Sequence, residues 1–317
     1  MMKNRKAIIF GIKGYFLTKK ETNLIKKNKP WGIILFSRNV KNLEQLKKLT
    51  IQIRKIFNDK KYPILIDAEG GKVSRICKII DLTIFSQSFF EKLYIKNKKK
   101  FLTFYKIYID SVSSILKYIG VNINTVPVLD IRRKHTHNVI GTRSFSSSLK
   151  NVSTLGNICI SNYENNKIGT VIKHIPGHGL SKHDTHYKTP IVNENKKILI
   201  NKDFKAFKKC KSIFAMTAHV VYKKYDPKNT ATHSKTIIKK VIRDHIKFNG
   251  ILISDDISMK SLKLELSHNA IKALKSGCNL VLHCNGNIKE MNKLAKIIPK
   301  IDNFTKKKTS DFYKFLG

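Results

Sequence analysis

The chain has 317 residues, 41% of them hydrophobic, and a formal net charge of +42 from 63 Lys and Arg against 21 Asp and Glu. The apolar fraction excludes a disordered protein, and the length suffices for a large α/β core. The charge alone would suit a polyanion. However, lysines are spread along the whole chain beside abundant Asn and Ile, as an A- and T-rich coding sequence would give, and no RNP-like, zinc-finger or basic-heptad pattern is present, so no specific nucleic-acid partner is expected.

The start, Met1 to Leu17, mimics a signal peptide with Lys3, Arg5 and Lys6 before Ala7-Ile8-Ile9-Phe10. Lys13 interrupts that apolar run early, and no small-residue cleavage site follows. Strands are expected at Ala7 to Gly11, Gly32 to Ser37, Pro63 to Asp67, Val121 to Val126, Thr170 to His174, Ile213 to Ala218, Gly250 to Ser254 and Asn279 to His283. Helices are expected between them at Lys19 to Lys27, Leu43 to Phe57, Lys98 to Ile119, Lys202 to Lys209 and Ser267 to Lys275. The strand runs are nearly continuous in apolar character and rich in β-branched residues, as parallel strands buried on both faces are.

Eight such units point to an α/β fold of (β/α)8 TIM type, a single domain over residues 1–317 with a lysine-rich, solvated terminal helix from about Lys300. A doubly wound sheet is the competitor, but no glycine-rich dinucleotide turn follows the first strand. Five cysteines without a C-x-x-C pair fit a reducing compartment, and no uncharged stretch reaches membrane-spanning length. We therefore expect a cytoplasmic protein with no membrane span, acting as a monomer.

In such a barrel, reactive groups belong at the C-terminal ends of strands. Asp67 ends one strand, Lys173 and His174 another, His219 follows a third, and Asp255 and Asp256 follow a fourth. Asp255 reads as a nucleophile aimed into the mouth, with Asp256 pointing away; both also suit the cap of the next helix. After Lys173 comes the loop Lys173-His174-Ile175-Pro176-Gly177-His178-Gly179-Leu180-Ser181-Lys182-His183-Asp184-Thr185-His186. Asp184 and His186, two apart, share one side of an extended segment, so the carboxylate can orient the imidazole for proton transfer. The same loop also reads as a solvated surface segment. Its irregular histidine spacing does not match metal-ligand patterns, so no metal or other cofactor is expected. Arg75 and Arg143 can fork around a sugar hydroxyl or a carboxylate, although a lone arginine is by default solvated.

Together these motifs resemble the β-N-acetylglucosaminidases of glycoside hydrolase family 3, the single-domain bacterial type of peptidoglycan recycling. The resemblance runs from the first strand to about Asn285. It rests on Lys173-His174-Ile175-Pro176-Gly177-His178-Gly179 with Asp184-Thr185-His186, and on Ser254-Asp255-Asp256-Ile257-Ser258-Met259. Asp67-Ala68-Glu69-Gly70-Gly71-Lys72-Val73-Ser74-Arg75, Val139-Ile140-Gly141-Thr142-Arg143-Ser144-Phe145 and Ala218-His219-Val220-Val221-Tyr222 support it.

The resemblance implies a retaining exo-β-N-acetylglucosaminidase acting on N-acetylglucosaminyl-1,6-anhydromuramyl peptides. Asp255 would be the nucleophile and His186 the general acid/base held by Asp184, while Asp67, Arg75, Arg143, Lys173 and His174 would bind the sugar. A histidine replaces one of the customary two carboxylates, and Gly177 and Gly179 suggest a loop that moves. Departures from the family pattern are Ala68 for glutamine, Lys72 for arginine, Ser146 for glycine and Lys188 for an acidic residue; they touch affinity and loop geometry more than chemistry. A phosphorylase, with phosphate in place of water, and a basic non-catalytic binding protein on the same barrel are the alternatives.

Overall fold

The computed structural model describes residues 4–181 and 188–317. Its eight long apolar runs form β1 (Lys6–Gly11), β2 (Pro30–Leu35), β3 (Ile64–Ile66), β4 (Ile123–Asn124), β5 (Gly169–Ile175), β6 (Phe214–Thr217), β7 (Ile251–Asp256) and β8 (Leu280–His283). Each strand pairs in parallel with the next. Ile8 opposite Val281 and Phe10 opposite His283 then join β1 to β8 and close the barrel. All eight expected strands are present.

β4 is shorter than its apolar run because side chains take over part of its pairing. The Asn124 amide bonds both the N–H and the C=O of Ala68 at 3.0 Å, and Asn122 accepts the Ile64 N–H at 2.9 Å. Pro127, just beyond, has no N–H to give.

The expected helices at Lys19–Asn28, Leu43–Phe57, Lys98–Tyr118 and Leu266–Ser276 form with only small shifts at their ends. The segment expected at Lys202 to Lys209 begins earlier, at Lys196, and passes through a wide π turn over Leu199–Asp203 before Phe204–Lys208. Polar N-caps set several starts, among them Thr18 in a reciprocal pair with Glu21, Asn42, Ser86 and Asn97. Among the described residues no helix is long and apolar enough to cross a membrane.

The segment after Lys300 departs from the solvated reading. Asn303–Phe315 is a helix, but its Thr305, Thr309 and Phe312 are buried beneath the N-terminal end of the barrel. Phe312 packs edge-on to Phe214 at 5.1 Å, and Thr309 accepts the Trp31 indole N–H at 2.9 Å. Arg5, fully buried, donates to the Tyr313 hydroxyl at 3.0 Å and pairs with Asp59, which also accepts from Tyr313 at 2.7 Å. Its opposite side, with Phe304, Lys307, Asp311 and Lys314, faces water. Phe312→Ala removes the central apolar contact, and urea denaturation is expected to show a loss of about 3–5 kcal/mol in stability.

Candidate active site

Three strand ends and two loops supply the polar groups at the C-terminal mouth of the barrel. After β3 the chain makes a tight hairpin, Ala68–Gly70 against Val73–Ser74. Its turn needs left-handed backbone at Gly70 (φ +83°), where a Cβ would also strike the Phe85 carbonyl at 2.2 Å. The hairpin returns Arg75 over the strand end, so that its N–H reaches the Asp67 carbonyl at 2.8 Å and its side chain the Asp67 carboxylate at 3.3 Å.

Glu69 projects from the same hairpin and is buried. Arg143 grips it with two bonds of 2.8 Å, and Lys173 lies 2.6 Å from its Oε1. Lys173 also reaches Asp67 at 3.3 Å and Thr125 at 3.0 Å. Two carboxylates thus face the three cations Arg75, Arg143 and Lys173, leaving one net positive charge. Burial alone would raise the Glu69 carboxyl, but Arg143 and Lys173 outweigh it and hold it below the usual range. Asp67 is likewise held low against burial, chiefly by Lys173 and Arg75.

Asp130 organises the second cluster. It is fully buried and accepts from the His178 N–H at 2.6 Å and the His174 N–H at 3.3 Å, while the His174 Nδ1 lies 2.7 Å from its other oxygen. Burial opposes its ionisation, yet His174 and His178 keep it ionised below the ordinary range. An ionised carboxylate can only accept, so His174 carries its Nδ1 proton toward Asp130. His178 stands edge-on to His174 at 5.6 Å; burial pushes its imidazole down to about 4. It is buried and also lines the cleft.

At the end of β7 the two aspartates divide their work. Asp256 accepts from the Ser258 N–H at 3.1 Å, the Ser258 hydroxyl at 2.7 Å and the Cys284 N–H at 3.3 Å, so it ties down the following turn. Asp255 accepts the Asp256 N–H at 2.8 Å and lines the cleft; Asp256, expected to point away, lines it too. Its carboxyl is pushed up by burial but drawn below the usual range by His219, His174 and Lys173. His219, wholly buried, spans from the Thr232 hydroxyl (2.7 Å) to the Asp256 carbonyl (3.0 Å), bracing this strand end rather than entering the rim.

The cleft holds about 330 Å³, and Asp67, Arg75, Arg143, Lys173, His174 and Asp255 all line it. Every expected site residue among the described residues is thus brought together. Asp184 and His186 lie outside the described residues. Glu69, Asp130 and Thr125 belong to the site although the sequence gives them no role, and His178, which reads from the sequence as a scaffold or surface residue, lines the cleft. Glu69 stands inside a quoted motif, and its alternation with Asp67 was the available signal.

The two loop glycines sit where the loop base packs closely. A Cβ on Gly179 would meet the Ile131 carbonyl oxygen at 1.9 Å, and Gly177 (φ +139°) lies against Asp203. Thr136 and His137 also bond the Gly179 and Ser181 carbonyls, and the Tyr222 hydroxyl donates to that of Gly177. These glycines allow close packing of the loop base. Gly179→Ala is expected to lower thermal stability and, through the displaced loop base, activity by about tenfold or more.

Beside that base, Asp203 is buried 2.7 Å from Arg133, and burial raises its carboxyl to about 6 despite the arginine. The carboxyls of Asp67, Glu69, Asp130 and Asp255 are depressed in the folded state, as are the His178 and His233 imidazoles, both to about 4 by burial. The folded state therefore binds fewer protons at these groups than the unfolded chain, so acid should destabilise it. Melting temperature should fall from about pH 6.5 to 4 through the histidines and more steeply below about pH 4.5 through the carboxyls. Asp203 opposes this between about pH 6 and 4, so Asp203→Asn should steepen that part of the fall.

Comparison with known proteins matches residues 11–310 to the glycosyl hydrolase family 3 N-terminal domain. The chain is 31% identical to the β-hexosaminidase of Haemophilus influenzae over 287 residues, covering 88% of this chain and 79% of that one. It is 30% identical to the β-hexosaminidase of Psychromonas ingrahamii over 314 residues, covering 97% and 89%. Native NagZ from Neisseria gonorrhoeae superposes with a TM-score of 0.87 at 26% identity, covering 99% of this chain and 90% of that one. The same enzyme in complex with N-trifluoroacetyl-D-glucosamine gives 0.86, also at 26% identity.

Proposed function

Because the chain belongs to glycosyl hydrolase family 3 and is a glycoside hydrolase of the β-hexosaminidase kind, we propose that it removes non-reducing terminal N-acetylglucosamine from peptidoglycan fragments, N-acetylglucosaminyl-1,6-anhydromuramyl peptides, with retention. It does so as a single-domain cytoplasmic monomer. The convergence of Asp255 with the donors Lys173, Arg143 and Arg75 on one cleft carries this reading. The cleft's size favours one terminal sugar, which is what exo action needs. The relative in complex with N-trifluoroacetyl-D-glucosamine supports an N-acylglucosamine as that sugar.

In the first step an Asp255 carboxylate oxygen attacks the anomeric carbon. The bond to the leaving oxygen breaks as His186 protonates it, giving a glycosyl-enzyme ester. His186, oriented by Asp184, then takes a proton from water, whose oxygen attacks the same carbon and releases Asp255. Asp67, Arg75, Arg143, Lys173 and His174 hold the sugar. Because Asp255 is kept ionised by its surroundings, it is a competent nucleophile well below neutral pH.

The net positive charge beside Asp255 also suits phosphate as the attacking group, which would make the enzyme a phosphorylase. Release of phenol from an aryl N-acetyl-β-glucosaminide, with products identified with and without phosphate, separates the two. Asp255→Ala should lower kcat on the order of a thousandfold or more. His186→Ala should slow breakdown of the glycosyl-enzyme about 10²–10⁴-fold while good leaving groups still depart. A fluorinated N-acetylglucosaminide should leave its adduct on Asp255. Label on Asp256, or a folded protein without activity, would sink the reading, the latter in favour of a binding protein.

A further inference from the structure

The outward face of the helices Gln87–Lys96 and Lys98–Tyr118 takes no part in the cleft. Their inner faces interlock through aromatic contacts, Phe90 with Tyr105 at 4.4 Å and Tyr94 with Phe101 at 5.3 Å. What points outward is unusual. Of the fifteen large hydrophobic side chains exposed among the described residues, six lie on these two helices: Phe89, Ile95, Leu102, Phe104, Ile107 and Tyr118. Phe104 and Ile107 are each 57% exposed, three residues apart on one helix face, and Ile95 is 67% exposed.

The charge around them is mainly positive, Glu44 at the Tyr118 hydroxyl being a carboxylate at its far end. Residues 87–118 carry seven lysines and only two carboxylates. Glu91 is buried and turned inward to Ser146, Asn151 and Arg132, and Asp110 is taken by Lys106 at 2.5 Å and Asn166 at 2.7 Å. Lys92, Lys96, Lys98, Lys99 and Lys100 are all exposed among the apolar side chains.

We infer that this face docks on an anionic lipid bilayer. Phe89, Ile95, Phe104 and Ile107 enter the headgroup boundary, and the surrounding lysines meet lipid phosphates. Nucleic acid would match the lysines but leave the isoleucines without an apolar partner. A second copy of the chain would set lysine against lysine. A bilayer interface satisfies both features in one surface. The inner side of the second helix backs the cleft wall, where Tyr108 donates to the Glu69 carbonyl at 3.4 Å.

The test is co-sedimentation of the full chain with vesicles of phosphatidylglycerol and phosphatidylcholine, against phosphatidylcholine alone. Binding should require the anionic lipid and weaken with salt. Replacing Lys98, Lys99 and Lys100 by Gln should weaken it about a hundredfold. Phe104→Ser with Ile107→Ser should weaken it about tenfold or more, with aryl hexosaminide hydrolysis unchanged. As a control of equal charge, glutamines at Lys306, Lys307 and Lys308 should leave binding within about threefold. Absence of vesicle binding, or equal losses from the two lysine triplets, would overturn the proposal. So would a dimer in sedimentation that the serine variant abolishes, since that would assign the face to self-association.

Discussion

Cations can be buried at the mouth of a barrel only if carboxylates are buried among them, because an unpaired interior charge is far too costly. Glu69 meets that condition here. It reaches Arg143 on the loop after β4 and Lys173 at the end of β5, so three separate stretches of chain are fixed around one side chain. Asp67 repeats the pattern with Lys173 and Arg75. The resulting network leaves one positive charge uncompensated, and its Lys173 joins His219 and His174 in holding the neighbouring Asp255 below the usual carboxylate range.

The histidines at the mouth follow a different logic. His174 and His178 are held through Asp130, and the Asp256 carbonyl through His219, in each case by groups that do not themselves reach far into the cleft. The proposed nucleophile therefore sits between a charged lattice and a set of buried imidazoles, two of which burial holds below the usual range. Positioning by rigid neighbours is what a reaction through a short-lived oxocarbenium-like state requires.

Much of this was legible in the sequence, and the exceptions have physical causes. All eight barrel strands could be read because parallel strands buried on both faces leave nearly unbroken apolar runs. The helix Leu149–Asn165 could not, because it is rich in Asn, Ser and Thr and contains Gly156, where a Cβ would strike Leu129 at 2.5 Å. The residues aimed into the cleft were found from strand ends and family motifs. Glu69 and Asp130 were not, since their importance lies in which distant side chains they join. The close approach of backbone at the loop glycines was likewise not legible, as a sequence does not show what a glycine lies against.

The seating of the terminal helix has a consequence for how this chain reaches its fold. β1 must wait for β8 before the barrel can close, and Thr309, Phe312 and Tyr313 add the last contacts to Trp31, Phe214 and Arg5. During synthesis, nearly the whole chain must therefore emerge with its first strand edge unpaired and its lower apolar end uncovered. A lysine-rich surface suits that interval, because partly built barrels of like charge repel one another before their final helix arrives.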